Sequence, residues 1–149
     1  MKQYETSHLV KQEDLNHHGT LFAARAAAWF VEAAFVAAGC ECGTCEGIVC
    51  RNLHDMSFRR PVQKGTIVRF LARVVLTGGS SFTVAVTALN ALTEEVCIEG
   101  MITFVVTDGC GGKGKCPIRM DEPEDGRERS QRMSAETIRN KQSVKNSFD

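Results

Sequence analysis

Apolar and polar positions change their period twice along the chain. Residues 6–10 (Thr6-Ser7-His8-Leu9-Val10) suggest a short strand, and the segment from Glu13 to Gly19 is dense in turn-forming and cap-forming residues. The longest apolar run is Thr20 to Ala38, rich in alanine and apolar on every side, which predicts a helix enclosed by protein with Thr20 as its N-cap and Gly39 at its end. Its length approaches that of a membrane span, but Arg25 and Glu32 lie within it, so it reads as a core helix.

From Gly47 the period becomes that of strands. The run from Ile48 to Phe58 has mixed polarity, and Pro61 with Lys64-Gly65 supplies a turn. Thr66 to Thr77 alternates, with Ile67, Arg69, Leu71, Arg73 and Val75 on one face and Val68, Phe70, Val74 and Leu76 on the other. Gly78-Gly79-Ser80 is a turn signal, Ser81 to Leu89 alternates again, and Val96 to Thr107 places Ile98, Ile102, Phe104 and Val106 together. Turns this short require antiparallel neighbours, because parallel strands need long crossovers. The predicted class is α+β, with one long helix set against a curled antiparallel sheet.

After Cys116-Pro117 the character changes. Residues 119–149 carry equal numbers of basic and acidic side chains and few apolar ones, too few to bury a core. This segment reads either as a disordered charged tail or as a short helix near Ser134 to Lys141, docked on a partner subunit. The expected organisation is a domain over residues 1–118 and a tail over 119–149.

Composition narrows the function. The 149 residues are 43% apolar and 24% charged, with 18 basic against 18 acidic side chains, enough to bury one core and too balanced for a global attraction to nucleic acid or membrane. Any anion site must therefore be local, and the arginines at 51, 59, 60, 69 and 73 are bunched where an anionic group could bind. The polar N-terminus lacks the pattern of a secretory signal, so the expectation is a cytoplasmic protein whose seven cysteines are free thiols.

Two motifs have bland alternatives. Gly109 to Lys115 has the G-x-x-x-x-G-K spacing of a phosphate-binding loop, but Cys116 stands where Ser or Thr would hold magnesium, and Pro117 and Pro123 interrupt the helix the motif needs. It reads as a flexible exit from the last strand. Cys40, Cys42, Cys45 and Cys50 could in principle bind zinc, but only Cys42 and Cys45 have knuckle spacing, so loop and core thiols are expected and no metal is assigned.

The segment around the helix start has more chemistry. Asp14, Asn16, His17 and His18 gather just before Gly19, where the free amides of a helix N-terminus can stabilise an oxyanion. Glu32 is the only carboxylate in an otherwise apolar helix; if buried, it must be paired, protonated or facing a cavity, with Arg25 or an arginine across a subunit interface as partner.

Together these residues resemble the hotdog-fold acyl-CoA thioesterases. Asp14-Leu-Asn16-His-His-Gly19-Thr-Leu-Phe22, the helix with Trp29-Phe30-Val31-Glu32, Met56-Ser-Phe58-Arg-Arg-Pro61-Val-x-x-Gly65 and Gly79-Ser80-Ser81 follow the family's order and spacing from about residue 6 to 118. The resemblance implies a long helix wrapped by an antiparallel sheet. It also implies a homodimer with active sites at its interface, often assembled into tetramers or hexamers, and hydrolysis of an acyl-CoA thioester. CoA would be part of the substrate, with no other cofactor required. Asn16 matches the residue that orients water or the thioester, and the amides from Gly19 to Ala23 would form the oxyanion hole. Glu32, or Asp14 in its place, would be the general base. Arg59, Arg60, Lys64 and Ser80 would meet the phosphates or pantetheine of CoA.

The chain departs from the pattern twice. The usual aspartate position is Val31, one residue and therefore a rotation of about 100° from Glu32. The family's glycine pair is Ala23-Ala24. Two further readings follow: a hotdog enoyl-CoA hydratase using Asp14, Asn16 and His18 for proton transfer, and a non-catalytic acyl-CoA-binding protein.

Overall fold

The computed structural model describes residues 1–148. Strand β1 (Tyr4–Leu9) leads through a 3-10 turn (Gln12–Asp14) to helix α1 (Ala23–Cys42), and four strands follow: β2 (Ile48–Phe58), β3 (Ile67–Thr77), β4 (Ser81–Asn90) and β5 (Val96–Val106). They form one antiparallel sheet in the order β1-β3-β4-β5-β2. A second helix, α2 (Gly126–Phe148), closes the described chain.

Helix α1 lies across one face of this sheet, against β1, β3 and β4. Ala26, Trp29, Phe30, Ala33, Ala34, Ala37 and Ala38 form its buried side, over a floor that includes Phe70, Phe82, Val84, Ile98, Ile102 and Phe104. Five alanines at the contact let the backbone approach the sheet closely. At Gly100 the fit is tightest: a methyl group there would come within 2.9 Å of the Met56 backbone and 3.0 Å of the Phe30 ring.

The helix is shifted relative to the sequence expectation. It begins at Ala23 because Thr20 is held in a turn by Asn16, and the N-cap is the extended Phe22, which offers no side-chain cap. It runs past Gly39 to Gly43, which takes the left-handed conformation (φ 78°) that ends a helix. Gly39 is small for a different reason, since a Cβ there would sit 2.5 Å from the Cys45 sulfur. Nor is α1 enclosed on every side: Ala24, Arg25, Ala28, Glu32 and Cys40 are exposed.

Bulges account for the two irregular patterns. Strand β2 shifts register between Cys50 and Asn52 and again between His54 and Ser57, where Asp55 has φ 49°, so no single period-2 reading fits it. A bulge between Val74 and Leu76 turns Leu76 onto the far face of the sheet, beside Val75 rather than opposite it.

That far face corrects the expectation for residues 119–149. Residues 126–148 of this segment form a helix longer than the 134–141 expected: α2 docks on the chain's own sheet, where Ala135 and Ile138 pack with Val75, Leu76, Ala85 and Met101. Polar anchors offset its poor hydrophobicity. Arg132 is buried, donating to the carbonyls of Val75 (3.0 Å) and Asp121, and buried Glu128 meets Arg73 at 2.7 Å and the terminal ammonium at 3.2 Å.

Two outcomes follow from this packing. Gly100→Ala lowers the unfolding free energy by about 1–3 kcal/mol through overpacking, whereas Gly79→Ala, with nothing within 4 Å of the new methyl, costs much less; urea titration measures both. The Glu128 carboxyl is held below the usual glutamate range, first by the Glu124 amide and then by the terminal ammonium and Arg73. A carboxylate lowered on folding contributes stability above its unfolded pKa of about 4.3 and loses it as pH falls through the folded value. Glu128→Gln is accordingly less stable than the parent at neutral pH, with a gap that narrows below about pH 4 in pH-dependent unfolding.

Candidate active site at the start of helix α1

The loop from Asp14 to Phe22 is tied down almost atom by atom. The Asn16 side-chain oxygen accepts from the amides of His18 (2.9 Å) and Thr20 (3.1 Å), and its Nδ2 donates to the Thr20 hydroxyl (3.1 Å). Gly19 has φ 79°, which a side chain would strain, and its amide donates to the Asn16 carbonyl at 3.1 Å. The Leu21 amide donates to the Val62 carbonyl and the Phe22 amide to the Asp14 carbonyl, both at 2.8 Å.

These bonds move the oxyanion donors along the chain. Of the amides from Gly19 to Ala23 that the sequence reading offered to an oxyanion, those of residues 19–22 are occupied, Leu21 by the Val62 carbonyl and the others within the loop. The helical ladder starts with Ala26 donating to the Phe22 carbonyl, so the amides of Ala23, Ala24 and Arg25 are the ones a helix leaves without a backbone acceptor. All three residues are exposed. Gly19 thus shapes the turn, Asn16 holds it, and the first turn of α1 offers the donors.

Asp14 is 4% exposed, with one oxygen accepting from the Lys11 amide (2.9 Å) and the other 3.3 Å from Arg25 Nε. It is closed off by these partners and is poorly placed to take a proton from water. The pairing corrects the expectation for Arg25, whose partner is Asp14 and not Glu32. Glu32 is exposed and makes none of the ion pairs among the described residues. It lies roughly 14 Å along the helix axis from Ala23, at about 1.5 Å per residue. His18 is exposed while Asp14 is buried, so the proton-transfer cluster of the hydratase reading does not converge.

The basic rim is divided. Arg59 donates to Glu99 (2.7 Å), Arg60 sits 3.5 Å from Glu95, and Lys64 donates to Gln12 (3.1 Å). Arg59 and Arg60 flank an open cavity of about 550 Å³. Arg69 and Arg73 are paired with Glu5 and Glu128, so the bunched arginines do not add up to one anion site. Lys64 stands near the Asn16 loop, because Thr20 bridges Gln63. Ser80 does not: Ser81 pairs with Val105 and Leu89 with Val96, which puts Ser80 at the other end of the sheet, roughly 25 Å away at about 3.4 Å per residue.

The other motifs are occupied locally. Asp108 Oδ1 accepts from the amides of Cys110 (2.8 Å) and Gly112 (3.0 Å), filling with its own carboxylate the turn that a phosphate-binding loop would leave open. Burial pushes the Cys42 thiol up to about 11, far from a reactive thiolate. A further cavity of about 380 Å³ lies between β2, β4, β5 and α2, lined by Ser57, Met101, Arg127 and Gln131. Sequence reasoning missed it because α2 was not foreseen as part of the fold.

Comparison with known proteins places this architecture. The acyl-CoA hydrolase of Staphylococcus aureus, solved with butyryl coenzyme A, coenzyme A and coenzyme A disulfide, matches with a TM-score of 0.75 at 25% identity, over 98% of this chain and 92% of that one. A hexameric acyl-CoA thioesterase matches with a TM-score of 0.81 at 23% identity, over 99% and 94%. An acyl-CoA hydrolase from Bacillus cereus matches with 0.80 at 19% identity, over 98% and 89%. The fold is the hotdog fold of these proteins. The family model of the thioesterase superfamily matches residues 18–103, more than half of the chain, and the protein belongs to that superfamily. No curated protein matches the sequence.

The loop bonds give a direct check on Asn16. Asn16→Ala removes the acceptor for His18 and Thr20, so amide hydrogen exchange at both residues accelerates at least about tenfold, while buried β4 amides keep their protection.

Proposed function

We propose that the protein hydrolyses an acyl-CoA thioester to a free acid and CoA, and that its active site is completed by a second copy of the chain. One observation carries this reading. The donor amides of α1, Asn16 and the basic rim share one end of the sheet, while the carboxylate of Glu32 and the Gly79-Ser80-Ser81 turn lie too far away to serve the same site within one chain.

A second copy can supply both. The outer edge of β2 has no partner strand among the described residues, and Val49, Leu53 and Phe58 on that strand are about half exposed. The uncovered stripe of α1, with Ala24, Ala28 and Glu32, offers a further contact surface. Association here, with the sheet wrapping α1, fits the family resemblance to a homodimer, and the hexameric thioesterase among the similar structures supports a larger homo-oligomer.

In this arrangement water attacks the thioester carbonyl and the carbonyl oxygen becomes an oxyanion, held by the amides of Ala23, Ala24 and Arg25. Asn16 Nδ2, with one proton left after its bond to Thr20, orients the water or the carbonyl. Glu32 from the second copy takes the proton of the attacking water, and collapse of the intermediate breaks the carbon–sulfur bond. The CoA thiolate leaves and takes up that proton. Arg59, Arg60 and Lys64 of one copy and Ser80 of the other receive the nucleotide and pantetheine. CoA enters as part of the substrate, and the same reading keeps the protein in the cytoplasm.

An acyl-CoA panel monitored by free-thiol release tests the reaction. Turnover is expected for the parent protein and falls roughly 10²-fold in Asn16→Ala and in Glu32→Ala. Unchanged rates in both variants would remove these assignments. Loss of enoyl-CoA absorbance without thiol release would indicate a hydratase, and tight binding without turnover a non-catalytic acyl-CoA-binding protein.

A further inference from the structure

Asp14 poses an electrostatic problem for an oxyanion at the start of α1. Its carboxylate is buried, and its own carbonyl accepts the Phe22 amide at 2.8 Å, which puts the charge next to the turn where the free helix amides begin. A negative charge there stabilises the helix through its dipole, but it opposes a second negative charge forming on the same amides. Among the described residues the only cation on Asp14 is Arg25, at 3.3 Å, and the Arg25 main chain is itself part of that first turn.

We propose that Arg25 is a positioning residue of this site: its guanidinium neutralises Asp14 and fastens the Asn16 loop to the first turn of α1, so that Ala23, Ala24 and Arg25 present their amides to an oxyanion and not to a bare carboxylate. The inference rests on the thioesterase reading above. A unit charge some 6 Å from an oxyanion, screened as at a partly exposed site, shifts its stability by a factor on the order of ten.

The test compares the parent with Arg25→Gln, Arg25→Lys and the double variant Asp14→Asn/Arg25→Gln, each checked by circular dichroism and thermal melting. Arg25→Gln lowers kcat about tenfold and leaves KM within about twofold. Arg25→Lys keeps most of the rate, and the double variant, in which the asparagine oxygen still accepts from Lys11, recovers most of it. A raised KM with unchanged kcat would make Arg25 a CoA ligand and overturn the proposal. So would a double variant no faster than Arg25→Gln, because loss of structure alone is not repaired by deleting the second charge. Should Arg25→Gln fail to fold, the double variant decides: near-parental kcat supports neutralisation, and a tenfold deficit rejects it. A parent protein without turnover on any acyl-CoA would sink the thioesterase reading instead. The fastening is then read by hydrogen exchange at His18 and Thr20, which accelerates in Arg25→Gln if Arg25 holds the loop and is unchanged if it does not.

Discussion

The seating of α1 on the sheet sets everything else in this molecule. Small residues at Ala26, Ala33, Ala34, Ala37 and Ala38 bring the helix axis close to the strands, and Trp29 and Phe30 fill what remains, with Trp29 stacked on His8 at 4.3 Å and Phe30 above Gly100. A helix held so closely cannot slide or rotate without losing the contacts of seven buried residues. Its N-terminus therefore emerges at a fixed place, and the loop before it is clamped to that place by Asp14, Val62 and Gln63. Fixed amides cost no reorganisation when charge develops on a ligand, which is the condition for an oxyanion site.

The same seating explains why the helix start is uncapped. Ser, Thr, Asp or Asn at the N-cap would normally occupy one of the free amides, and Thr20 looks like such a residue in the sequence. In the structure Thr20 is drawn into the Asn16 turn, and Phe22, which has no polar side chain, takes the cap position. The cost to the helix is offset by its buried face, and the unsatisfied donors become the feature of chemical interest.

Strand positions, the antiparallel pairing of β3, β4 and β5 and their core faces were legible because alternation is a local property of the sequence, but the short turn after Phe58 suggested β2 beside β3, and β2 pairs β5 instead. What escaped was non-local. The bulges in β2 and β3 arise from the way neighbouring strands meet, and no period in either strand alone announces them. Helix α2 escaped because its stability comes from its partners: its apolar residues are few, but Ala135 and Ile138 meet a ready apolar face, and Arg132 and Glu128 find buried acceptors and cations that only the folded sheet provides. At the site, the residue types of Asn16 and Gly19 announced a turn, but the sequence offered Arg25 only as one possible partner of Glu32, and the structure pairs it with Asp14. Glu32 shares a helix face with Arg25, but Asp14 lies outside the helix, and only the path of the loop brings it to Arg25.

Glu32 shows how a reading made on one chain can change once the chain is folded. A lone carboxylate in an apolar helix looks like a buried charge in need of a partner, yet it is exposed on the one stripe of α1 that the sheet leaves open. The alanines that flank it, Ala24 and Ala28, give that stripe little bulk, so another protein surface could approach the helix backbone closely with the carboxylate projecting from it. The apolar composition that suggested an enclosed helix then takes on a second meaning. One face is buried by the chain's own sheet, the other is open, and the carboxylate of Glu32 projects from it on the same side of the helix as Arg25.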